Sequence, residues 1–305
     1  MVLSCVSDIF TTTAEKAQYY LPVLAKAGFK ALDFSWFEYY VGWDISQQQK
    51  SSFFAKSDEE IYAHIDAIKA EIDKAGLVVG QAHAPFSTLL TNGSKEFNDY
   101  LVTVHKKIIE LTARLGCKYL VIHPVFGNYD NPLQLEEEKK INIDFYSSLI
   151  PELKKYNVVA CLENMWVRKG DFKIYNAICA DPNEAAEYVD ELNKIAGEEL
   201  FGFCLDTGHA VLCSMDIVKG INILGKRIKT VHIHDVDGIK DTHTIPYLGV
   251  SDFEKILKTL KSVGYEGTIN FETNNAWHTF PQPVWPQAIE LLGAVAKHIT
   301  NEYFK

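Results

Sequence analysis

The chain has 305 residues, 47% hydrophobic and 23% charged, a balance that suits a globular protein with a sizeable core. Its formal net charge of −10 and pI near 5.5 argue against the broad phosphate-binding surface a duplex DNA binder needs. No apolar run is long enough to span a membrane, so the expected partner is a small soluble molecule, with neither nucleic acid nor membrane.

The predicted elements begin with "VLSCVS" at 2–7, a short apolar strand. The surrounding "MVLSCVSD" lacks the basic and apolar regions of a leader peptide. "AKAGFKALDFS" then gives a helix end, a Gly stop and a second strand at 30–35. The aromatic stretch "DFSWFEYYVGWD" follows, carrying Trp36, Phe37, Tyr39, Tyr40 and Trp43. "SDEEIYAHIDAIKAEIDKAG" opens on a Ser cap and closes at Gly, as does "SKEFNDYLVTVHKKIIELTARLG". These helices lead into the strands "VVGQAHA" (78–84) and "YLVIHPV" (119–125). "VVACLEN" (158–164) comes next, then the capped helix "DPNEAAEYVDELNKIAG" and "LFGFCLD" (200–206). "IKTVHIHD" (228–235) and "GTINFET" (267–273) complete a set of eight strands.

Eight apolar strands separated by helical segments predict a (β/α)8 TIM barrel, a parallel barrel ringed by helices. No Pro, Gly or Ser-rich linker divides the chain, so residues 1–305 are expected to form one domain. The six cysteines show no CxxC spacing and sit in apolar runs such as "VVACLEN", which reads as small core residues in a reducing, cytoplasmic compartment.

A barrel gathers its chemistry at the C-terminal ends of its strands. Those ends carry His83, His123, Glu163, Asp206 with His209, His232 with His234, and Glu272, so six consecutive strands finish in groups able to ligate a metal. A single strand-end His or Glu is usually a loop hydrogen-bonding group, and it is the convergence on one ring that indicates a site. In "VHIHD" the two histidines share a face because they lie two residues apart. His232 is deeper and is the expected ligand, although a one-residue change of register would exchange its role with His234.

"QAHAPF", "VIHPV", "CLENM", "LDTGHA", "VHIHD", "DTHTIPYLGVSDF" and "INFET", in this order, resemble the xylose-isomerase-like barrel superfamily of sugar isomerases and epimerases, which also includes apurinic endonuclease barrels. The resemblance spans nearly the whole chain. It implies one divalent metal held by Glu163, Asp206, His232 and Glu272, with Glu163 and Glu272 also serving as the proton-transfer pair. Three carboxylates and one imidazole make a hard, oxygen-rich set suited to Mn²⁺, with Mg²⁺, Co²⁺ or Zn²⁺ as alternatives. His83, His123, His209, His234 and His243 are then expected to contact the substrate. Arg168 would reach a phosphate or terminal hydroxyl, and Trp36 would wall the sugar's C–H face. The aromatic stretch is equally readable as a dimer contact, in a chain that would form a homo-oligomer, or as a small satellite core.

The implied reaction is isomerisation or epimerisation of a small keto-sugar or polyol by proton transfer beside a carbonyl. Dehydration of an inosose-type keto-cyclitol is a sibling alternative. A zinc-dependent phosphodiesterase of the apurinic endonuclease type would use His83, His123, Glu163, Asp206, His209, His232, Asp241, His243 and Glu272, but the acidic net charge and the active-face loops "FSWFEYYVGWD", "MWVRKGDFKIYN" and "NNAWHTF" lean against it. A non-catalytic sugar-binding barrel would have little use for both glutamates.

Overall fold

The computed structural model describes residues 1–170 and 173–304. Ten strands lie among these residues, and eight form one parallel sheet: β1 (Leu3–Val6), β2 (Ala31–Ser35), β3 (Val78–His83), β4 (Tyr119–Val121), β5 (Val159–Glu163), β8 (Phe201–Asp206), β9 (Ile228–His232) and β10 (Ile269–Phe271). Neighbours along the sheet follow chain order, and β10 pairs with β1. The last gap, between β9 and β10, is closed by Ile233, whose N–H donates to Asn270 O (2.8 Å) and whose carbonyl accepts from Glu272 N–H (3.1 Å). The sheet is therefore a closed (β/α)8 barrel without free edges, the architecture expected from the eight strand segments.

The surrounding helices are α1 (Ala14–Ala27), α2 (Gly42–Ser46), α3 (Asp58–Lys74), α4 (Lys95–Arg114), α5 (Leu135–Tyr156), α6 (Pro182–Ala196), α7 (Thr207–Leu212), α8 (Ile217–Leu224), α9 (Phe253–Ser262), α10 (Asn275–His278) and α11 (Trp285–Tyr303). In α3, a capping box between Ser57 and Glu60 starts the helix, and Ile61, Ile65, Ile68 and Ile72 form the stripe buried against the barrel. None of the helices among the described residues is long and apolar enough to cross a membrane.

Strand alternation determines where the site lies. Ala160, Leu162, Phe203 and Leu205 belong to the large core shared by sheet and helices. Val121, Val159, Cys161 and Cys204 form a separate small cluster. Glu163 and Asp206 continue the rows of Cys161 and Cys204 two residues further on, which directs both carboxylates into the barrel at its C-terminal rim. Register shifts between Leu32 and Asp33 and between Phe203 and Cys204 mark irregularities of the ladder next to this rim, where bulges commonly re-aim side chains.

Two features were not expected from the sequence. The segment after β5, where no strand was predicted, contains an antiparallel pair, β6 (Trp166–Lys169) and β7 (Lys173–Asn176). Four largely exposed residues per strand give too short an alternation to register as strands. Asp235 is a structural residue: its buried carboxylate accepts the backbone N–H groups of Val236 (3.0 Å), Tyr247 (3.0 Å), Gly249 (2.8 Å) and Ser251 (3.0 Å), folding the loop after β9 onto the barrel. Gly249 is required there, because a Cβ would meet Val236 O at 2.1 Å. Asp235→Ala is expected to strand these donors and lower stability by about 3 kcal/mol or more, read as a reduced urea midpoint at constant m-value.

Candidate metal centre

The ends of β5, β8, β9 and β10 bring Glu163, Asp206, His232 and Glu272 together, with one ligand atom from each within 4.8 Å of the others. His232 Nδ1 lies 3.2 Å from Glu163 Oε1, 3.1 Å from Glu272 Oε2 and 3.8 Å from Asp206 Oδ2. Asp206 and His232 are fully buried, and Glu163 nearly so. Three carboxylates converging on one imidazole nitrogen repel one another strongly when shielded from water. The second oxygen of Glu163, Oε2, is buried without a well-formed hydrogen bond. A divalent cation satisfies both conditions, and this donor set fits one.

The far side of His232 has its own support. Nε2 lies 3.2 Å from Asp33 Oδ2, and that oxygen also accepts from Gln81 Nε2 (2.8 Å) and Asn270 Nδ2 (2.9 Å). A carboxylate behind a ligating imidazole fixes the ring's orientation and raises its basicity. Asp33 was missed in the sequence because it sits inside "ALDFS", two residues short of the strand end where ligands were sought. A buried Asp in an apolar strand was the available signal.

A second group lies alongside. His209 Nε2 and His243 Nε2 approach Asp241 Oδ2 at 3.1 and 3.0 Å, and Trp166 Nε1 donates to the same oxygen at 3.3 Å. His234 Nε2 lies 3.0 Å from Asp206 Oδ2, and its ring stacks on His243 with centroids 3.9 Å apart. Gly208 leaves room for that ring, since a Cβ there would fall 2.1 Å from His234 Cε1. His209, His234, Asp241 and His243 could hold a cation of their own. On the other flank, His123 Nε2 and His83 Nε2 stand 3.1 and 3.5 Å from Glu163 Oε2.

The protonation equilibria reflect this crowding. Burial disfavours the charged form of Glu163, yet the His232 and His123 imidazoles hold its carboxyl well below the usual range. Burial acts likewise on Asp241, and His209 and His243 hold it low. Burial would depress His243, but Asp241 and Glu272 raise it to about 9. His123 is lowered, with desolvation dominant.

A cavity of about 680 Å³ opens above these groups, lined at its floor by His83, His123, Glu163, His209, His243 and Glu272. Arg168 is at its exposed rim, with its guanidinium 5.2 Å above the Trp166 ring. Trp36 does not wall the cavity. It is fully buried, donates its indole N–H to Thr112 of α4 (3.1 Å) and packs on Phe34 and Tyr39, so that part of the aromatic stretch is core, and Phe37 lines the cavity instead.

The family model described as xylose isomerase-like TIM barrel matches residues 22–295, and the chain belongs to this family. It is 27% identical over 201 residues to the uncharacterized protein MJ1311 of Methanocaldococcus jannaschii, covering 63% of this chain and 64%, just under two thirds, of that one. Inosose dehydratase of Clostridium beijerinckii is 25% identical over 229 residues, covering 68% of this chain and 73% of the relative. A probable endonuclease 4 of Metamycoplasma arthritidis is 28% identical over 189 residues, covering 59% and 62%. Among solved structures, a D-tagatose 3-epimerase-like protein superposes with a TM-score of 0.71 at 20% identity, covering 99% of both chains.

The support behind His232 can be tested directly. Asp33→Asn keeps the size of the side chain and an acceptor oxygen but removes the charge. It should leave the fold intact by circular dichroism and weaken Mn²⁺ binding by about 10- to 100-fold in chelator competition. Unchanged affinity would reduce Asp33 to a core hydrogen-bonding residue.

Proposed function

We propose that this chain is a divalent-metal-dependent enzyme that isomerises or epimerises a small keto-sugar or polyol derivative by moving a proton on the carbon beside a carbonyl. The observation that carries this reading is the division of labour among the four converging residues: Glu163 and Glu272 line the cavity floor, whereas Asp206 and His232 are fully buried beneath. Two of the four groups can therefore meet a substrate as well as a cation.

Glu163, Asp206, His232 and Glu272 would hold the ion, with Mn²⁺ favoured for a set of three carboxylates and one imidazole. When bound, such an ion polarises a carbonyl and stabilises the negative charge of an enediolate. One glutamate takes the proton from carbon, and the other, reaching the floor from a different strand, returns one. His209 and His243 present imidazoles to the same space for substrate hydroxyls, both held by Asp241. In the dehydration of a keto-cyclitol, the same first proton transfer is followed by loss of a hydroxyl one carbon further on, and the likeness to inosose dehydratase supports that variant.

Glu163→Gln and Glu272→Gln preserve volume and one oxygen but not the proton-accepting charge. Each should fold, retain part of its metal affinity and lose turnover by about 10² to 10⁴. In D₂O the intact enzyme should place deuterium on the reacting carbon of a keto-sugar or inosose substrate. Normal turnover by both metal-loaded variants would assign proton transfer to other residues.

The second group, His209, His234, Asp241 and His243, favours one rival: a multi-zinc phosphodiesterase drawing on both groups and on a third set, His83, Glu163 and His232, whose ligand atoms also lie within 4.8 Å of one another. One divalent ion against three carboxylates leaves −1, suited to a neutral sugar, whereas three zincs against Glu163, Asp206, Asp241 and Glu272 leave +2, suited to a phosphodiester. Elemental analysis is expected to give one tightly held metal per chain. Near three zincs per chain, together with cleavage of abasic DNA, would overturn the sugar reading.

A further inference from the structure

Asp8 lines the cavity without belonging to the four converging ligands. It opens the turn after β1 with φ 39°, a left-handed conformation that a residue with a side chain keeps only when its surroundings hold it. Two side chains from the segment after β10 hold it here: the Trp277 indole N–H (3.3 Å) and His278 Nε2 (2.5 Å) both reach Asp8 Oδ2. In the β1–β10 ladder Cys5 lies opposite Phe271, so the chain running on to Asp8 passes beside Glu272 toward the mouth.

The two ends of the Asp8–His278 pair face different surroundings. The Asp8 side chain is 8% exposed and lines the cavity, whereas that of His278 is 40% exposed. A carboxylate in the cavity is thus bonded directly to an imidazole open to solvent. The hydrogen bond to Asp8 raises the His278 imidazole above its ordinary range, and burial followed by the Asp8 carboxylate raises Glu38 beside them. The group therefore favours holding a proton. Asp235, the structural carboxylate of the loop after β9, differs in being fully buried among backbone donors.

The proposed chemistry leaves one proton without a carrier. Glu163 and Glu272 suffice for exchange at carbon, which is all that epimerisation needs. Loss of a hydroxyl from the next carbon also needs an acid, because hydroxide leaves poorly without a proton. That oxygen lies beyond the carbon the glutamates serve, so its acid must stand beside them and not among them. Asp8 stands so with respect to Glu272.

We infer that Asp8, with His278 behind it, is the acid that protonates the departing hydroxyl of a β-hydroxy ketone substrate, so that the cavity supports elimination of water from a keto-sugar or keto-cyclitol. The inference rests on the sugar reading of the floor and selects its dehydration variant. A glutamate first takes the proton from carbon. The electron pair left on the enediolate then forms the carbon–carbon double bond as the adjacent C–O bond breaks. His278 gives a proton to Asp8, Asp8 gives it to the hydroxyl, and water leaves. His278 recovers a proton from solvent, and the glutamate releases the one it took.

The test incubates the Mn²⁺-loaded full chain in D₂O with 2-keto-myo-inositol, D-fructose or D-tagatose, and proton NMR follows both deuterium entry into the substrate and formation of the dehydrated product. The intact chain should dehydrate at least one of the three. Asp8→Asn keeps the size of the side chain and suits a left-handed backbone, and it should raise the ratio of exchange to dehydration by about 10²-fold or more. His278→Ala should slow dehydration severalfold, and added imidazole should restore part of the loss, a rescue that a merely structural histidine would not give. Circular dichroism checks both folds, and if Asp8→Asn misfolds the imidazole rescue decides alone. Exchange without dehydration by the intact chain, or an unchanged ratio in Asp8→Asn, would overturn the role of Asp8 and leave the sugar reading in place. Dehydration that His278→Ala leaves intact, or that imidazole does not restore, would overturn the relay. If none of the three compounds exchanges or dehydrates, the inference and the sugar reading fall together.

Discussion

Mutual repulsion among buried carboxylates is the constraint around which this barrel is organised. Glu163, Asp206, Asp241 and Glu272 crowd one end of the barrel where little water can screen them. Each is placed against imidazoles: Glu163 against His232, His123 and His83, Asp206 against His234, Asp241 against His209 and His243, and Glu272 against His232 and His243. The arrangement is electrostatically balanced only as a whole, and it needs a rigid frame. The closed ring of strands provides that frame, and the Asp33–Gln81–Asn270 network provides it again one layer deeper.

Much of the frame was legible in the sequence because it follows from periodicity. The helix stops at glycine and the strand runs that follow define the βα units, and residues two apart in a strand share a face. Glu163 and Asp206 could therefore be placed on the inner rim from "VVACLEN" and "LFGFCLD" alone. The parts that escaped depend on contacts distant in sequence. Asp33 meets His232 across 199 positions of chain, which no local pattern encodes. Trp36 misled because an aromatic residue after a strand has the same composition whether it faces a cavity or a helix, and only Thr112 decides between them. The β6–β7 pair escaped for a local reason: its strands are too short and too exposed to alternate visibly.

The pocket combines a floor of ionisable groups with walls built largely from the loops that follow the strands. His83 and Glu163 end β3 and β5, where backbone hydrogen bonding holds them rigidly, and such positions suit chemistry that tolerates little misplacement. Phe86 and Phe126 of the walls belong to loops, which accept insertion and substitution more readily than the strands do.

Two carboxylates at and beneath the floor are held in common by neighbouring clusters. Glu163 faces His232 through one oxygen and His83 and His123 through the other, while Asp206 meets both His232 and His234. Substitutions in one cluster therefore alter the energetics of the next, and their effects will not add. The clusters thus form an epistatic unit: exchanging one histidine at the edge perturbs a single cluster, whereas replacing Glu163 or Asp206 disturbs more than one at once.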